Sequence, residues 1–228
     1  MQDNLSILEK NIGYKFKNIS LLKNALIHTS YANENKVHSN EKLEFLGDSI
    51  LEFISSKYIY INYPNLQEGE MTKVRATVVC EDSLYEIANK LNISDFLFVG
   101  KSEKINHGNK KRTIMADSIE AIIAAIYFDS GSLVEPEKFI INSLKDSIEV
   151  ATKNVGIKDH KTVLQEILQV HGNIKIEYNI INESGPDHDK TFTAEVRADG
   201  KKLATGMGKT KKLAEMDAAD KAIKVLNK

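Results

Sequence analysis

Residues 40–51 read Asn-Glu-Lys-Leu-Glu-Phe-Leu-Gly-Asp-Ser-Ile-Leu. On a helix at about 100° per residue, Glu41, Glu44 and Asp48 fall within roughly 60° of one another. Leu43, Leu46, Ile50 and Ile54 gather on the opposite side, as a core-facing stripe does. Three carboxylates on one face repel one another, and a purely structural helix would intersperse Lys or Arg among them. None falls in this arc. A hard divalent cation taking oxygen ligands relieves such a row. Phe45 breaks the pattern, about 40° from Glu41 on the acidic side. It is either an isolated exposed apolar residue or an anchor for another surface.

A second acidic pair lies far along the chain, in Ile114-Met-Ala-Asp-Ser-Ile-Glu-Ala-Ile-Ile123. Asp117 and Glu120 stand one turn apart on a segment otherwise apolar nearly all round, which predicts a buried helix. Carboxylates there are costly unless matched by cations. No Lys or Arg follows Glu120 within a turn. The match comes either from salt bridges elsewhere in the chain or from metal.

The flanking segments predict further helices. Residues 1–35 carry two apolar sets, Leu5, Ile7, Leu8 and Ile12, then Leu21, Leu22, Ala25 and Leu26. His28 closes that region as a packed or capping residue. The helix of residues 40–51 is expected to run to about residue 60, with Pro64 marking its end. Glu68-Gly-Glu-Met71 opens another helix, predicted through residue 91 by Val74, Val78, Leu84, Ile87 and Leu91. Glu68 and Glu70 are either dipole partners in its first turn or members of a site. Residues 96–112 read as a lysine-rich loop, either a solvated surface or a phosphate contact. A closing helix covers residues 133–152, and residues 153–159 form a linker.

From residue 160 the rhythm changes. A short helix carries Val163, Leu164, Ile167 and Leu168. Strand patterns follow at 174–181, 191–198 and 202–207, with Phe192, Ala194 and Val196 alternating with polar neighbours. Asp199-Gly200 marks a tight hairpin. A last helix is expected from about residue 209 to 226. Lys209, Lys211 and Lys212 at its start oppose the helix dipole; they form either a solvated basic turn or a seat for a phosphate backbone.

The chain has 228 residues, 31 Lys+Arg against 32 Asp+Glu, so its overall balance neither selects nor excludes nucleic acid. Its one cysteine, Cys80, excludes an intramolecular disulfide. Neither a signal-type apolar run at the start nor a membrane span is present in the sequence, so a cytoplasmic protein is expected. There is no Cys/His zinc spacing, no glycine-rich phosphate loop, and no Glu-x-x-His pair of the kind a di-iron bundle needs.

The order Glu-x-x-Glu-Phe-x-Gly-Asp in residues 41–48 resembles the signature of the ribonuclease III family. So do Ile114-Met-Ala-Asp-Ser-Ile-Glu-Ala121 and Tyr127-Phe-Asp-Ser-Gly131. Residues 160–228 resemble a double-stranded-RNA-binding domain, through Lys161-Thr-Val-Leu-Gln-Glu166, Gly185-Pro-Asp-His188, Phe192 and Gly208-Lys-Thr-Lys-Lys-Leu-Ala-Glu-Met-Asp-Ala-Ala219. The resemblance implies an all-α endonuclease domain over residues 1–152, followed by a small α-β-β-β-α domain. It implies a metal-dependent endonuclease for double-stranded RNA that processes structured precursors such as rRNA and mRNA, leaving 5′-phosphates and short 3′ overhangs.

By that resemblance Glu44, Asp117 and Glu120 bind Mg²⁺, or Mn²⁺ in its place, and Asp48 completes the essential set. Glu41 and Glu68 are auxiliary. The enzyme would be a homodimer with Phe45 lodged in the partner. Thr162, Gln165 and Glu166 would face one minor groove of the duplex, His188 the next, and Lys209, Lys211 and Lys212 the phosphates between. The rival expectation is a duplex-RNA-binding regulator without activity, which the intact acidic quartet opposes.

Overall fold

The structure is a computed structural model and describes residues 2–155, 160–169, 174–186 and 190–226. The chain divides into two compact units, Met1–Val155 and Gly156–Lys228. The first is helical: α1 (Gln2–Ile12), α2 (Ile19–Ala25), α3 (Thr29–Asn35), α4 (Glu41–Asn62), α5 (Glu68–Val78), α6 (Glu81–Lys90), α7 (Lys101–Ile105), α8 (Arg112–Ser130) and α9 (Val134–Val155). The second runs α10 (His160–Gln169), β1 (Ile176–Ser184), β2 (Thr191–Ala198), β3 (Lys201–Gly208) and α11 (Lys211–Leu226).

Helix α8 is the hub of the first unit. Met115, Ile119, Ile122, Ile123 and Ile126 are essentially removed from solvent, and α2, α4, α6 and α9 all pack on it. The contact with α4 is the most extensive. It is close because Gly47 has no side chain. A Cβ built there would stand 1.8 Å from the carbonyl oxygen of Glu120. Leu43, Ile50 and Ile54 of α4 are buried as the apolar stripe predicts.

Several boundaries differ from those read off the sequence, among them β1, expected over residues 174–181 and found at Ile176–Ser184. The helix expected over residues 68–91 is two helices. Val79 leaves the helical region and Cys80 is extended (φ −69°, ψ 160°) before Glu81 and Asp82 open α6. The break lets α5 pack on α4 and α9 while α6 packs on α8, which one straight rod cannot do. The loop expected over 96–112 contains α7 and a 3₁₀ turn at Gly108–Lys110. The closing helix runs on to Val155, whose side chain packs against the core. The last helix begins at Lys211, so Lys209 sits in the turn before it.

In the second unit the strands form an antiparallel sheet in the order β1-β2-β3. Asp199 (φ 45°) and Gly200 (φ 78°) make the tight turn between Ala198 and Lys201, the conformation a two-residue hairpin requires. Leu164, Leu168, Val196, Ala214 and Ala218 fill the core. Helix α11 lies directly on β3: a Cβ at Gly206 would stand 2.0 Å from the Ala218 nitrogen, and one at Gly208 2.5 Å from the Ala214 nitrogen.

Gly47→Ala is expected to force α4 from α8 and to cost about 1–3 kcal/mol, as overpacking a filled interior does. The melting temperature should fall by roughly 3–10 °C. An unchanged melt by circular dichroism would refute the close crossing.

Candidate metal centre and nucleic-acid interface

The start of α4 is tethered before any carboxylate is placed. Asn40 is buried; its amide side chain donates to the Ala25 carbonyl at 3.2 Å, and its backbone N–H donates to the Ile27 carbonyl at 2.8 Å. Its own carbonyl accepts from Leu43 and Glu44. The first turn of α4 is thus held against the segment after α2. One turn on, Gly47 meets Glu120. The crossing brings three half-buried side chains together: one carboxylate oxygen from each of Glu44, Asp117 and Glu120 lies within 4.8 Å of the others.

The electrostatics record the strain. Glu120 is pushed up to about 8, first by burial, then by the charges of Asp48, Asp117 and Glu44. Burial raises Glu44 as well, with Asp117, Glu41 and Asp48 adding to it. Asp117 is raised by burial and by Glu81, and His28 opposes this. The cations at the start of α8 are committed elsewhere. Lys111 pairs with Glu103, and Arg112 pairs with Asp82 while its guanidinium lies 4.8 Å from the Tyr85 ring centre. Among the described residues the trio has no ion pair with Lys or Arg. Oxygen-only carboxylate donors from two helices, with no sulfur or imidazole among them, suit a hard divalent ion such as Mg²⁺ or Mn²⁺.

The remaining sequence candidates fall in several places. Asp48 is exposed and stands outside the trio, yet its charge bears on both Glu44 and Glu120. Glu41 is exposed, accepts the Ser39 hydroxyl at 2.6 Å, and adds to the field at Glu44. Glu68 is not brought to the trio within this chain. It lines a cavity of about 400 Å³ with Phe53, Ile59, Tyr60 and Met71, toward the other end of α4. Phe45 is 78% exposed.

In the second unit, Thr162, Gln165 and Glu166 form an exposed face of α10, opposite buried Leu164 and Leu168. Lys209, Lys211 and Lys212 are exposed. Lys211 reaches Glu183 at 3.2 Å and lies 5.6 Å from the Phe192 ring centre. His188 lies outside the described residues.

Four contributors were not singled out from the sequence. Gly47 and Asn40 were read as part of a motif without a spatial role. Glu81 went unmarked because one helix was drawn through it. His28, expected to pack or cap, does cap α3, accepting from the Ser30 N–H; protonated, it would also lower Asp117.

Known proteins resemble this chain over both units. Residues 18–147 match a family model described as ribonuclease-III-like, and residues 160–226 match the double-stranded RNA binding motif. Ribonuclease 3 of Clostridium kluyveri is 45% identical over 220 residues, covering 96% of this chain and 90% of that protein. Ribonuclease 3 of Enterococcus faecalis is 41% identical over 220 residues, covering 95% of each. Among solved structures, the nuclease domain of the Campylobacter jejuni ribonuclease III superposes with a TM-score of 0.58 at 35% identity, over 62% of this chain and 96% of that one. The chain belongs to the ribonuclease III family of endoribonucleases.

Proposed function

We propose that this protein hydrolyses phosphodiester bonds in double-stranded RNA with a divalent metal ion, Mg²⁺ or Mn²⁺, held by Glu44, Asp117 and Glu120. The observation that carries this is the convergence of those carboxylates without an ion pair to Lys or Arg among the described residues, in a chain that also bears a duplex-RNA-binding motif. When bound, the ion supplies Lewis-acid stabilisation at the phosphate and an acidified water. Asp48, exposed one turn from Glu44, orients the attacking water and accepts its proton. Glu41 extends the acidic row toward the RNA.

The same face of α4 carries Phe45, Phe53 and Tyr60, all exposed and within roughly 80° of arc. Phe45 lies near the start of the helix and the cavity lined by Phe53, Tyr60 and Glu68 near its end. An antiparallel two-fold pairing of α4 with its copy seats each Phe45 in the other's cavity within one isologous interface. Glu68 of the partner subunit then comes beside Glu41 and Glu44, which gives that residue a place at the site. A region of the Campylobacter jejuni nuclease domain is likewise involved in dimer formation. Two such sites cut opposite strands and leave 5′-phosphates with short 3′ overhangs on structured precursors such as rRNA and mRNA. In the second unit the exposed face of α10 reads a minor groove, and Lys209, Lys211 and Lys212 meet phosphates. Lys101, Lys104 and Lys110, exposed on the segment before α8, add phosphate contacts next to the acids. A cytoplasmic setting suits this substrate; among the described residues no helix is long and apolar enough to cross a membrane.

Glu120→Gln is expected to abolish cleavage of a long RNA duplex in Mg²⁺ while duplex binding survives; retained cleavage removes Glu120 from the mechanism. The same variant carries a stability signature. A carboxyl raised to about 8 in the fold, above its ordinary range when unfolded, contributes stability below that range and loses it as pH rises through about 8. In EDTA, Glu120→Gln should therefore melt with the wild type at pH 5 and several degrees above it at pH 9, and Mg²⁺ should reverse the order. Phe45→Asp should convert a sedimenting dimer toward monomer; a wild type already monomeric would contradict the pairing. Neutralising Lys211 and Lys212 together should weaken duplex binding and reduce its salt slope by about two; an unchanged slope moves the phosphate contacts elsewhere.

A further inference from the structure

Helix α7 has no business being stable alone. It is five residues long, buries no side chain, and exposes Ile105 to 78%; isolated helices of that length do not persist in water. Its amides are satisfied from a helix some seventy residues earlier. The Gly100 N–H, at the N-cap, donates to the Ser30 hydroxyl oxygen at 2.9 Å, and the Lys101 N–H donates to a Glu34 carboxylate oxygen at 2.8 Å. These are the groups a helix start leaves without internal partners.

The grip is close and continuous. A Cβ at Gly100 would stand 2.6 Å from Glu34 Oε1 and 2.9 Å from the Ser30 carbonyl oxygen. Just before it, the His28 N–H donates to the Phe98 carbonyl at 3.0 Å, and the Phe98 N–H donates to the Leu26 carbonyl at 2.9 Å. The Ser30 hydroxyl lies 2.8 Å from His28 Nδ1, which also accepts the Ser30 N–H.

What α7 carries is basic and exposed. Lys101 and Lys104 are one turn apart and exposed, and Glu103 between them pairs with Lys111 at the start of α8, the helix of Asp117 and Glu120. Protonated, His28 would lower both Glu103 and Asp117, so cap, basic segment and acids are neighbours.

We infer that Ser30 and Glu34 of α3 are positioning residues that cap α7 from outside and hold Lys101 and Lys104 against the phosphates of a duplex RNA at the metal site. This rests on the reading of the chain as a duplex-RNA endonuclease. Glu34 supplies the discriminating feature. On charge alone a carboxylate beside phosphate-binding lysines weakens RNA binding, so its loss would tighten it. As a cap, its loss frees the lysines and weakens binding.

The experiment is steady-state cleavage of a long RNA duplex in Mg²⁺ by the full chain, with salt dependence. Glu34→Ala and Ser30→Ala should each raise KM about fivefold, the size of one lost helix cap, with kcat within about twofold and a shallower salt slope. Glu34→Gln and Ser30→Thr, which keep an acceptor oxygen, should restore KM. The double variant Lys101→Ala/Lys104→Ala should raise KM likewise, and adding Glu34→Ala to it should change nothing further. A KM that falls or holds in Glu34→Ala, or a loss confined to kcat, overturns the cap. Lysine variants without effect overturn the RNA-facing role of α7. Wild-type protein that leaves duplex RNA intact overturns the endonuclease reading itself, before any variant is compared.

Discussion

Everything in the first unit depends on two helices crossing where one of them has no side chain. At Gly47 the backbone of α4 touches the carbonyl of Glu120 on α8. That contact makes the interior dense, and it sets like charges beside one another in a partly dry place. Burial, with repulsion from neighbouring carboxylates, then raises the pKa of Glu44, Asp117 and Glu120. The fold tolerates this because the surrounding apolar packing of α8 over-determines the arrangement. A site made unfavourable by itself is a site that favours a cation.

The acids were legible in the sequence because their types and spacing contradict what a helix does for structure alone. Carboxylates at 41, 44 and 48 without a balancing lysine, and 117 with 120 on an apolar segment, need no coordinates to look anomalous. The sheet of the second unit was legible for a similar reason: Asp199 and Gly200 admit the positive φ that a two-residue hairpin demands, and Ala194 and Val196 alternate into the core as read. The last helix was read two residues early because Lys209 continues a basic run that is blind to where the turn ends.

What the sequence hid was relational. Periodicity carried one helix through Val79 and Cys80, since the apolar residues on both sides suit a helix equally well; only the separate packing partners of α5 and α6 require the break. Helix α7 was invisible because its stabilisation lies in Ser30 and Glu34, far off in the chain, and not in its own residues. Glu68 has a carboxylate's chemistry but lies toward the opposite end of α4 from Glu44, and no single-chain pattern distinguishes it from a member of the trio.

Gly47 has no side chain to offer a ligand, a proton or a hydrogen bond, yet any Cβ at position 47 would meet the Glu120 carbonyl. Its codon is therefore constrained by packing and not by charge. An allele altered there keeps its catalytic outfit spelled intact yet yields a less stable protein, so inheritance at this locus guards a close backbone contact alongside the working groups.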